Sequence, residues 1–157
     1  MKTNPARVVA INISPGGIPK KPLPEARVLL SGLEGDGHNH EKHNTPLQAI
    51  SITDLEDLND MRNKGFDVYP GAIGENVTVS DLNVDELEIG DRLIFSGGVE
   101  IELTKRRKPC YVLDAIHPEL KKHLVGRCGF LAKVIRTGTL QPGETIEVRR
   151  AAAATCT

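Results

Sequence analysis

Residues 99–110 read VEIELTKRRKPC. Apolar and acidic side chains alternate over the first five positions, and this period of two predicts a half-buried β-strand. Four cations follow the strand, and Cys110 closes the run. A thiol at a strand end in a positive field is expected to favour its thiolate form. Because thiolates act as nucleophiles, sulfur carriers and soft-metal ligands, Cys110 is the first candidate functional residue.

The alternation also indicates which cations accompany Cys110. Successive side chains of an extended chain point to opposite faces, so Lys105 and Arg107 share one face. Arg106 and Lys108 share the other face with Cys110, provided that the strand continues so far. The alternative interpretation of Cys110 is a small buried core residue, a common fate of free cysteine. The adjacent cations favour a functional residue.

Composition indicates a single globular domain. The chain has 157 residues, of which 39% are hydrophobic and 26% charged, and we expect one domain over residues 1–150 and a disordered tail over 151–157. The net charge is −1, so the basic run is local and favours a small anionic ligand over nucleic acid or a membrane. Three scattered cysteines and the lack of a signal-peptide core predict free thiols in a cytoplasmic protein.

Short strands separated by glycine-containing turns are predicted along most of the chain. Their predicted ranges are 7–14, 28–30, 48–52, 76–79, 92–95, 99–104, 131–135 and 145–148. Residues 15–24 are rich in proline and are predicted to form an extended loop. A capping box at Thr53 to Glu56 predicts a helix that ends at Gly65, and Pro118 begins a second short helix. The pattern predicts a mainly β (β-rich α+β) fold, a barrel or folded sheet, rather than parallel βαβ units.

Two further segments carry candidate functional residues. Residues 32–43 read GLEGDGHNHEKH, and their three histidines could bind zinc, although a flexible loop without cysteine partners is a weak metal motif. Residues 70–76 read PGAIGEN, and the backbone amides of such a turn can bind an anion. The alternatives are solvated loop histidines and a plain tight turn.

In order along the chain, these motifs resemble a known family. The order is Gly-Leu-Glu-Gly-Asp-x-His (32–38), His43, Gly-x-x-Gly-Glu-Asn (71–76), Ile-Gly-Asp (89–91), Lys-Pro-Cys (108–110) and Arg-x-Gly-Phe-x-Ala-x-Val (127–134). It resembles the MOSC domain family, named after the C-terminal domain of molybdenum-cofactor sulfurases. The likeness covers about residues 6–149 and is to short, stand-alone bacterial members.

The resemblance implies a fold, a cofactor and a site. The implied fold is a barrel-like mixed sheet with a few short helices, and the implied cofactor is the molybdenum-pterin cofactor. Cys110 matches the signature cysteine, which ligates molybdenum in relatives, and cations beside it would neutralise the pterin phosphate. The cofactor-binding residues implied in this way are Gly71, Gly74, Glu75, Asn76, Arg106, Lys108, Asp36, His38 and His43.

Three functions stay open at this point. In the first, Cys110 ligates molybdenum during reduction of N-hydroxylated compounds, with electrons from a redox partner. In the second, Cys110 carries sulfur as a persulfide. In the third, the domain is a non-catalytic module that delivers or shields the cofactor among biosynthetic proteins, as the lack of the extra N-terminal region of larger reductases favours. Pyridoxal-phosphate binding is a family association only, because no Schiff-base lysine is identified.

Overall fold

The computed structural model describes residues 5–16, 18–37 and 48–151. Two predicted cofactor contacts, His38 and His43, lie outside the described residues. Residues 152–157, most of the predicted tail, also lie outside them. No helix in the described ranges is long and apolar enough to cross a membrane.

Eleven strands and two α-helices form within the described ranges. They are β1 (Arg7–Ile13), β2 (Lys21–Leu23), β3 (Ala26–Leu29), β4 (Gly32–Leu33), β5 (Ile50–Asp54), α1 (Leu55–Asn63), β6 (Val77–Ser80), β7 (Arg92–Phe95), β8 (Glu100–Arg106), α2 (Leu120–His123), β9 (Phe130–Arg136), β10 (Gly138–Leu140) and β11 (Ile146–Arg149). Short 3-10 turns cover Val84–Glu86 and Tyr111–Ala115.

Eight of the strands form one mixed sheet in the order β11-β7-β8-β9-β5-β6-β1-β2. Only β5 and β6 pair in parallel, and α1 connects them. The period of two is visible in β9, where Phe130, Ala132 and Val134 are buried and the residues between them are partly exposed. Both β5 and β6 are buried at every position, as expected for central strands that α1 also contacts.

The predicted fold class, mainly β with a mixed sheet and few short helices, is confirmed. The sheet is not closed, so "barrel-like" describes it only loosely. Its edge strands are β11 and β2. One isolated bridge, Arg7 to Thr145, and the hydrogen bond from Val8 N to Glu144 O join the beginning of β1 to the segment before β11. The sheet therefore curls far enough to bring the beginning of β1 beside the segment before β11.

The strand prediction was incomplete in two places. The proline-rich segment 15–24 contains edge strand β2, where Pro22 is tolerated because the outer side of an edge strand needs no donor. The two-residue β4 and three-residue β10 were missed, and they flank β3 in a second sheet of order β10-β3-β4. Strands this short carry too little alternation to be recognised.

The predicted capping box is also absent. Asp54, not Thr53, precedes the first turn of α1 and makes no side-chain capping bond. The Thr53 hydroxyl donates to Cys128 O (3.1 Å), and the Glu56 carboxylate accepts from Asp81 N (2.9 Å). Both side chains are used in tertiary contacts, and these replace the local capping bonds.

Two hydrophobic clusters fill the protein. The main cluster lies between the sheets and includes Ile52, Leu103 and Phe130. A satellite cluster joins α1, the turn at 71–76, the 3-10 turn after Cys110 and α2. It consists of Leu58, Met61, Phe66, Val68, Ala72, Ile73, Leu113, Leu120, Leu124 and Cys128.

Candidate functional site

Asn76 ties three distant segments together at the end of the glycine turn, the name used here for residues 71–76. Its Oδ1 accepts from Ser51 N (3.0 Å), and its Nδ2 donates to Asp36 Oδ2 (2.9 Å) and Asn12 O (3.3 Å). All the hydrogen-bonding atoms of this buried amide are therefore used within the protein. Asn76 fixes the position of the glycine turn against β1 and β5.

Asp36 anchors the loop that follows β1. Its Oδ1 accepts from Ser14 N (3.0 Å) and Lys20 Nζ (2.6 Å). The Asp36 side chain is 3% exposed and that of Lys20 is 12% exposed. Asp36 therefore joins Ser14 and Lys20 to Asn76.

Glu75 lies inside the glycine turn and is fully buried. Its Oε2 accepts from Gly71 N (2.9 Å) and from the Thr78 hydroxyl (2.8 Å), while its Oε1 has no hydrogen-bonding partner in the described ranges. Burial raises the pKa of Glu75, and the two donors together with the Arg107 charge offset part of this rise. Glu75 thus closes the turn from within.

Glycine is required at two positions of the turn. Gly71 and Gly74 have φ of +92° and +93°, a region that disfavours side chains. A Cβ at Gly71 would lie 2.3 Å from Lys20 O, and one at Gly74 would lie 2.9 Å from Ile18 Cγ2 and 3.2 Å from Arg107 Nη2. The turn therefore packs directly against the loop at 18–20 and against Arg107.

Arg107 is the cation that lies over the glycine turn. Its Nη2 donates to Ile73 O, and its main-chain N donates to Gly129 O (2.9 Å). Its Nη1 is buried and has no hydrogen-bonding partner among the residues that the structure describes. A buried charged donor without an acceptor is costly, and this makes the Arg107 guanidinium the clearest unsatisfied cation beside the turn.

Arg106 and Lys108 are the cations predicted to share the face of Cys110, and of these Arg106 contacts other segments. Strand β8 ends at Arg106, so the alternation on which the prediction relied does not extend to Cys110. Arg106 Nη2 donates to Leu87 O (2.8 Å), and its guanidinium lies 4.7 Å from the centre of the Phe130 ring. Lys108 is exposed. The sequence offered no clear signal for Arg107, because the end of the strand decided its direction.

Cys110 is an exposed free thiol immediately before the Tyr111–Ala115 turn. Its carbonyl accepts from Leu113 N (3.0 Å), and Leu113 is buried in the same satellite cluster as Ile73 of the glycine turn. The cysteine segment and the glycine turn therefore rest on one small core.

Cys128 was given no role from sequence, yet it lies beside these groups. It is 1% exposed, and burial raises the pKa of its thiol. The Arg107 charge opposes this rise, whereas Glu75, Asp85 and Cys110 add to it. Cys128 thus lies within electrostatic range of Arg107, Glu75 and Cys110 but is buried, and Cys110 is the accessible thiol of the two.

Comparison with known proteins identifies the family. A profile of the MOSC domain matches residues 36–147. This chain belongs to the MOSC domain family. That range includes the glycine turn, Arg107 and Cys110.

Individual relatives are distant. A protein named reductase from Gibberella moniliformis (strain M3125 / FGSC 7600) is 28% identical over 126 residues, which cover 75% of this chain and 22% of that relative. The uncharacterised protein YflK of Bacillus subtilis (strain 168) is 28% identical over 139 residues, 84% of this chain and 62% of its own. The MOSC chain thus spans about a fifth and about three-fifths of these relatives.

A solved structure shares the fold. The YUAD protein of Bacillus subtilis superposes with a TM-score of 0.78 at 23% identity, covering 92% of this chain and 96% of that chain. At this identity the likeness concerns the fold alone.

The MOSC family is associated with the molybdenum cofactor, and two features of this chain fit such a group. Cys110 offers an exposed sulfur, the kind of ligand that soft metals prefer. Arg107 Nη1 offers a buried donor without an acceptor, which suits a phosphate oxygen. Asp36 and Asn76 are instead saturated by protein partners.

Proposed function

We propose that this MOSC domain binds the molybdenum-pterin cofactor, with Cys110 as its sulfur ligand and Arg107 as the partner of an anionic oxygen. The buried, unpartnered Nη1 of Arg107 is the observation that carries the proposal. An acceptor supplied by the ligand would remove the cost of that donor, and a charge-assisted bond to phosphate is stronger than a neutral one.

The residues around Arg107 would orient the ligand. Ile73 O holds Nη2 of the guanidinium, so Nη1 is directed by the glycine turn itself. Gly71 and Gly74 let the backbone approach closely, and Glu75 and Asn76 keep the turn rigid from inside. Of the other cations predicted to bind the cofactor, Lys108 would attract its phosphate at long range from an exposed position. Arg106 would not contact the cofactor and would only help to hold the end of β8 in place.

We infer two-electron reduction of N-hydroxylated compounds as the reaction. The bound molybdenum would supply the redox chemistry. In the overall reaction the N–O bond breaks, a redox partner supplies two electrons, and two protons complete the amine and a water molecule. The likeness to a protein named reductase supports this choice. A cytoplasmic location is part of the proposal, because Cys110 and Cys128 are free thiols.

The test is cofactor loading. The protein is purified from a host that makes molybdenum cofactor, and bound molybdenum and pterin are measured for the wild type, Cys110→Ser, Arg107→Gln, Lys108→Gln and the remote control Arg149→Gln. We expect Arg107→Gln to lower pterin content about tenfold, as the loss of a charge-assisted hydrogen bond predicts. Arg149→Gln should leave it unchanged. Equal, negligible loading of wild type and Cys110→Ser would overturn the proposal.

The same preparations separate the alternative functions. Loaded protein that reduces an N-hydroxylated compound with a chemical electron donor supports the reductase. Loading without turnover, lost in Cys110→Ser, supports a module that delivers or shields the cofactor. A persulfide on Cys110 found by mass spectrometry in protein without pterin supports the sulfur carrier.

A further inference from the structure

Three carboxylates converge outside the site described above. Asp54 ends β5, Asp57 lies in the first turn of α1, and Asp85 lies in the Val84–Glu86 turn. One oxygen from each lies within 4.8 Å of the others. Oxygen ligands lie about 2.0–2.1 Å from a bound Mg²⁺ and about 2.3–2.6 Å from a bound Ca²⁺, so opposite ligands of one ion are about 4–5 Å apart. The separation within this group, at most 4.8 Å, is close to that range.

One oxygen of the group is buried and unsatisfied. Asp57 Oδ1 accepts from Arg127 Nε (2.9 Å) and lies 2.8 Å from Arg127 Nη2. Within the described part of the chain, Asp57 Oδ2 has no hydrogen-bonding partner, although the Asp57 side chain is only 9% exposed. It is the oxygen that Arg127 leaves open, and the Asp85 carboxyl lies beside the Asp57 carboxylate. A buried anionic oxygen without a partner requires a cation or a proton.

The group is held in place by main-chain donors. Asp54 Oδ1 accepts from Val84 N (2.9 Å), and its Oδ2 accepts from Asp85 N at 3.4 Å. These bonds join the end of β5 to the Val84–Glu86 turn across about thirty residues of sequence. The tertiary fold thus brings the three carboxylates together. The positive end of the α1 dipole favours acidic residues in the first turn of α1, but Asp85 lies outside that helix.

The positive charge nearby does not balance the group. Arg127 is shared between Asp57 and Asp60, whose Oδ2 lies 2.6 Å from Arg127 Nη1. Arg106 donates to the main-chain oxygen of Asp85 (3.0 Å). A cavity of about 220 Å³ adjoins the group, and Glu56 and Asp81 also line it. Negative charge is therefore in excess around a space large enough for several water molecules.

We propose that Asp54, Asp57 and Asp85 bind one hard divalent cation, Mg²⁺ or Mn²⁺, that keeps part of its water shell in the adjoining cavity. Carboxylate oxygens and water are the ligands that these ions prefer. The bound ion connects β5, α1 and the Val84–Glu86 turn. It stabilises the fold and takes no part in chemistry at Cys110, so the inference does not rest on the proposed function.

A proton is the competing occupant. Burial and the adjacent Asp57 carboxylate raise the pKa of Asp85 to about 8, so the binding measurements belong at about pH 8.5, where the proton competes least.

Mn²⁺ is the probe. Protein from a host that makes no molybdenum cofactor is titrated with Mn²⁺, and free Mn²⁺ is followed by electron paramagnetic resonance, with Mg²⁺ as competitor. We expect one bound ion and displacement by Mg²⁺. Asp85→Asn should weaken binding about tenfold or more, the usual cost of disturbing a metal site. Asp114→Asn, an exposed aspartate paired with Lys121, should bind like the wild type, and so should Cys110→Ser.

A second measurement covers the case in which Asp85→Asn fails to fold. Bound Mn²⁺ should broaden the amide resonances of Val84 and Asp85 most strongly in the wild-type protein, with weaker broadening at the glycine turn and the weakest at the sheet edge β2. Broadening centred elsewhere, or no binding below about 1 mM, would overturn the proposal. Equal binding by wild type and folded Asp85→Asn would do the same.

Discussion

Glu75 carries a carboxylate into the interior of the glycine turn, where burial raises its pKa. At the scale of single residues, burial of this carboxylate destabilises its charged form, whereas its hydrogen bonds with Gly71 N and Thr78 Oγ1 close the turn. Because the pKa of Glu75 is raised in the folded state, its contribution to the free energy of unfolding is fully present below the ordinary pKa of 4.5. It is lost progressively as the pH rises through the folded-state pKa.

Glu75→Gln should remove this pH dependence. The amide oxygen can still accept from both donors, and no charge is buried at high pH. We expect the free energy of unfolding of the wild type to fall relative to that of Glu75→Gln as the pH rises from about 4.5 towards 8. Urea unfolding of both proteins across this range checks the prediction. Parallel curves would show that folding does not raise the pKa of Glu75.

At the scale of elements, the glycine turn packs tightly against its neighbours because Gly71 and Gly74 leave no space for a side chain. Gly74 packs against Ile18 and Arg107, whereas Gly143 has a similar φ of +95° and no atom within 4 Å of its notional Cβ. The two positions therefore share the backbone strain and differ in the contacts.

Gly74→Ala should cost more stability than Gly143→Ala. Both variants suffer the strain of positive φ, about 1–3 kcal/mol, and only Gly74→Ala adds steric overlap, typically about 1–3 kcal/mol more. Equilibrium unfolding in urea measures both. Equal losses would mean that Ile18 and Arg107 move aside freely and that the turn does not hold the Arg107 guanidinium.

At the scale of the whole molecule, the two hydrophobic clusters stabilise different parts of the structure. The main cluster supports the sheets, and the satellite cluster supports both the glycine turn and the segment that carries Cys110. Leu103 and Leu113 are 0% and 1% exposed, one in each cluster, and they allow the same substitution to be compared.

Leu113→Ala and Leu103→Ala should each cost about 2–5 kcal/mol of global stability. Only Leu113→Ala should speed amide hydrogen exchange selectively at residues 71–76, because Leu113 packs with Ala72 and Ile73. Exchange followed by mass spectrometry under native conditions checks this. Selective opening of the glycine turn in Leu103→Ala as well would contradict the division of the core.

Much of the fold was predictable from local patterns. The strand predicted at 92–95 coincides with β7, and the one at 99–104 overlaps β8, because the pleated backbone imposes a period of two on any half-buried strand. The ordered glycine, aspartate and cysteine motifs also indicated the MOSC family, to which the chain belongs. The shortest strands and the first residue of α1 were not predicted correctly, since tertiary contacts decide them.

Sequence alone determined the alternation of the strands, the glycine positions of the turn and the presence of a cysteine after a basic run. Only the tertiary structure decided that Arg107 rather than Arg106 lies over the glycine turn, since β8 ends at Arg106. It also decided that Asp54, Asp57 and Asp85 meet. The physical reason is that periodicity follows from the geometry of neighbouring residues, whereas the meeting of distant side chains depends on where strands end and on how the sheet and α1 pack.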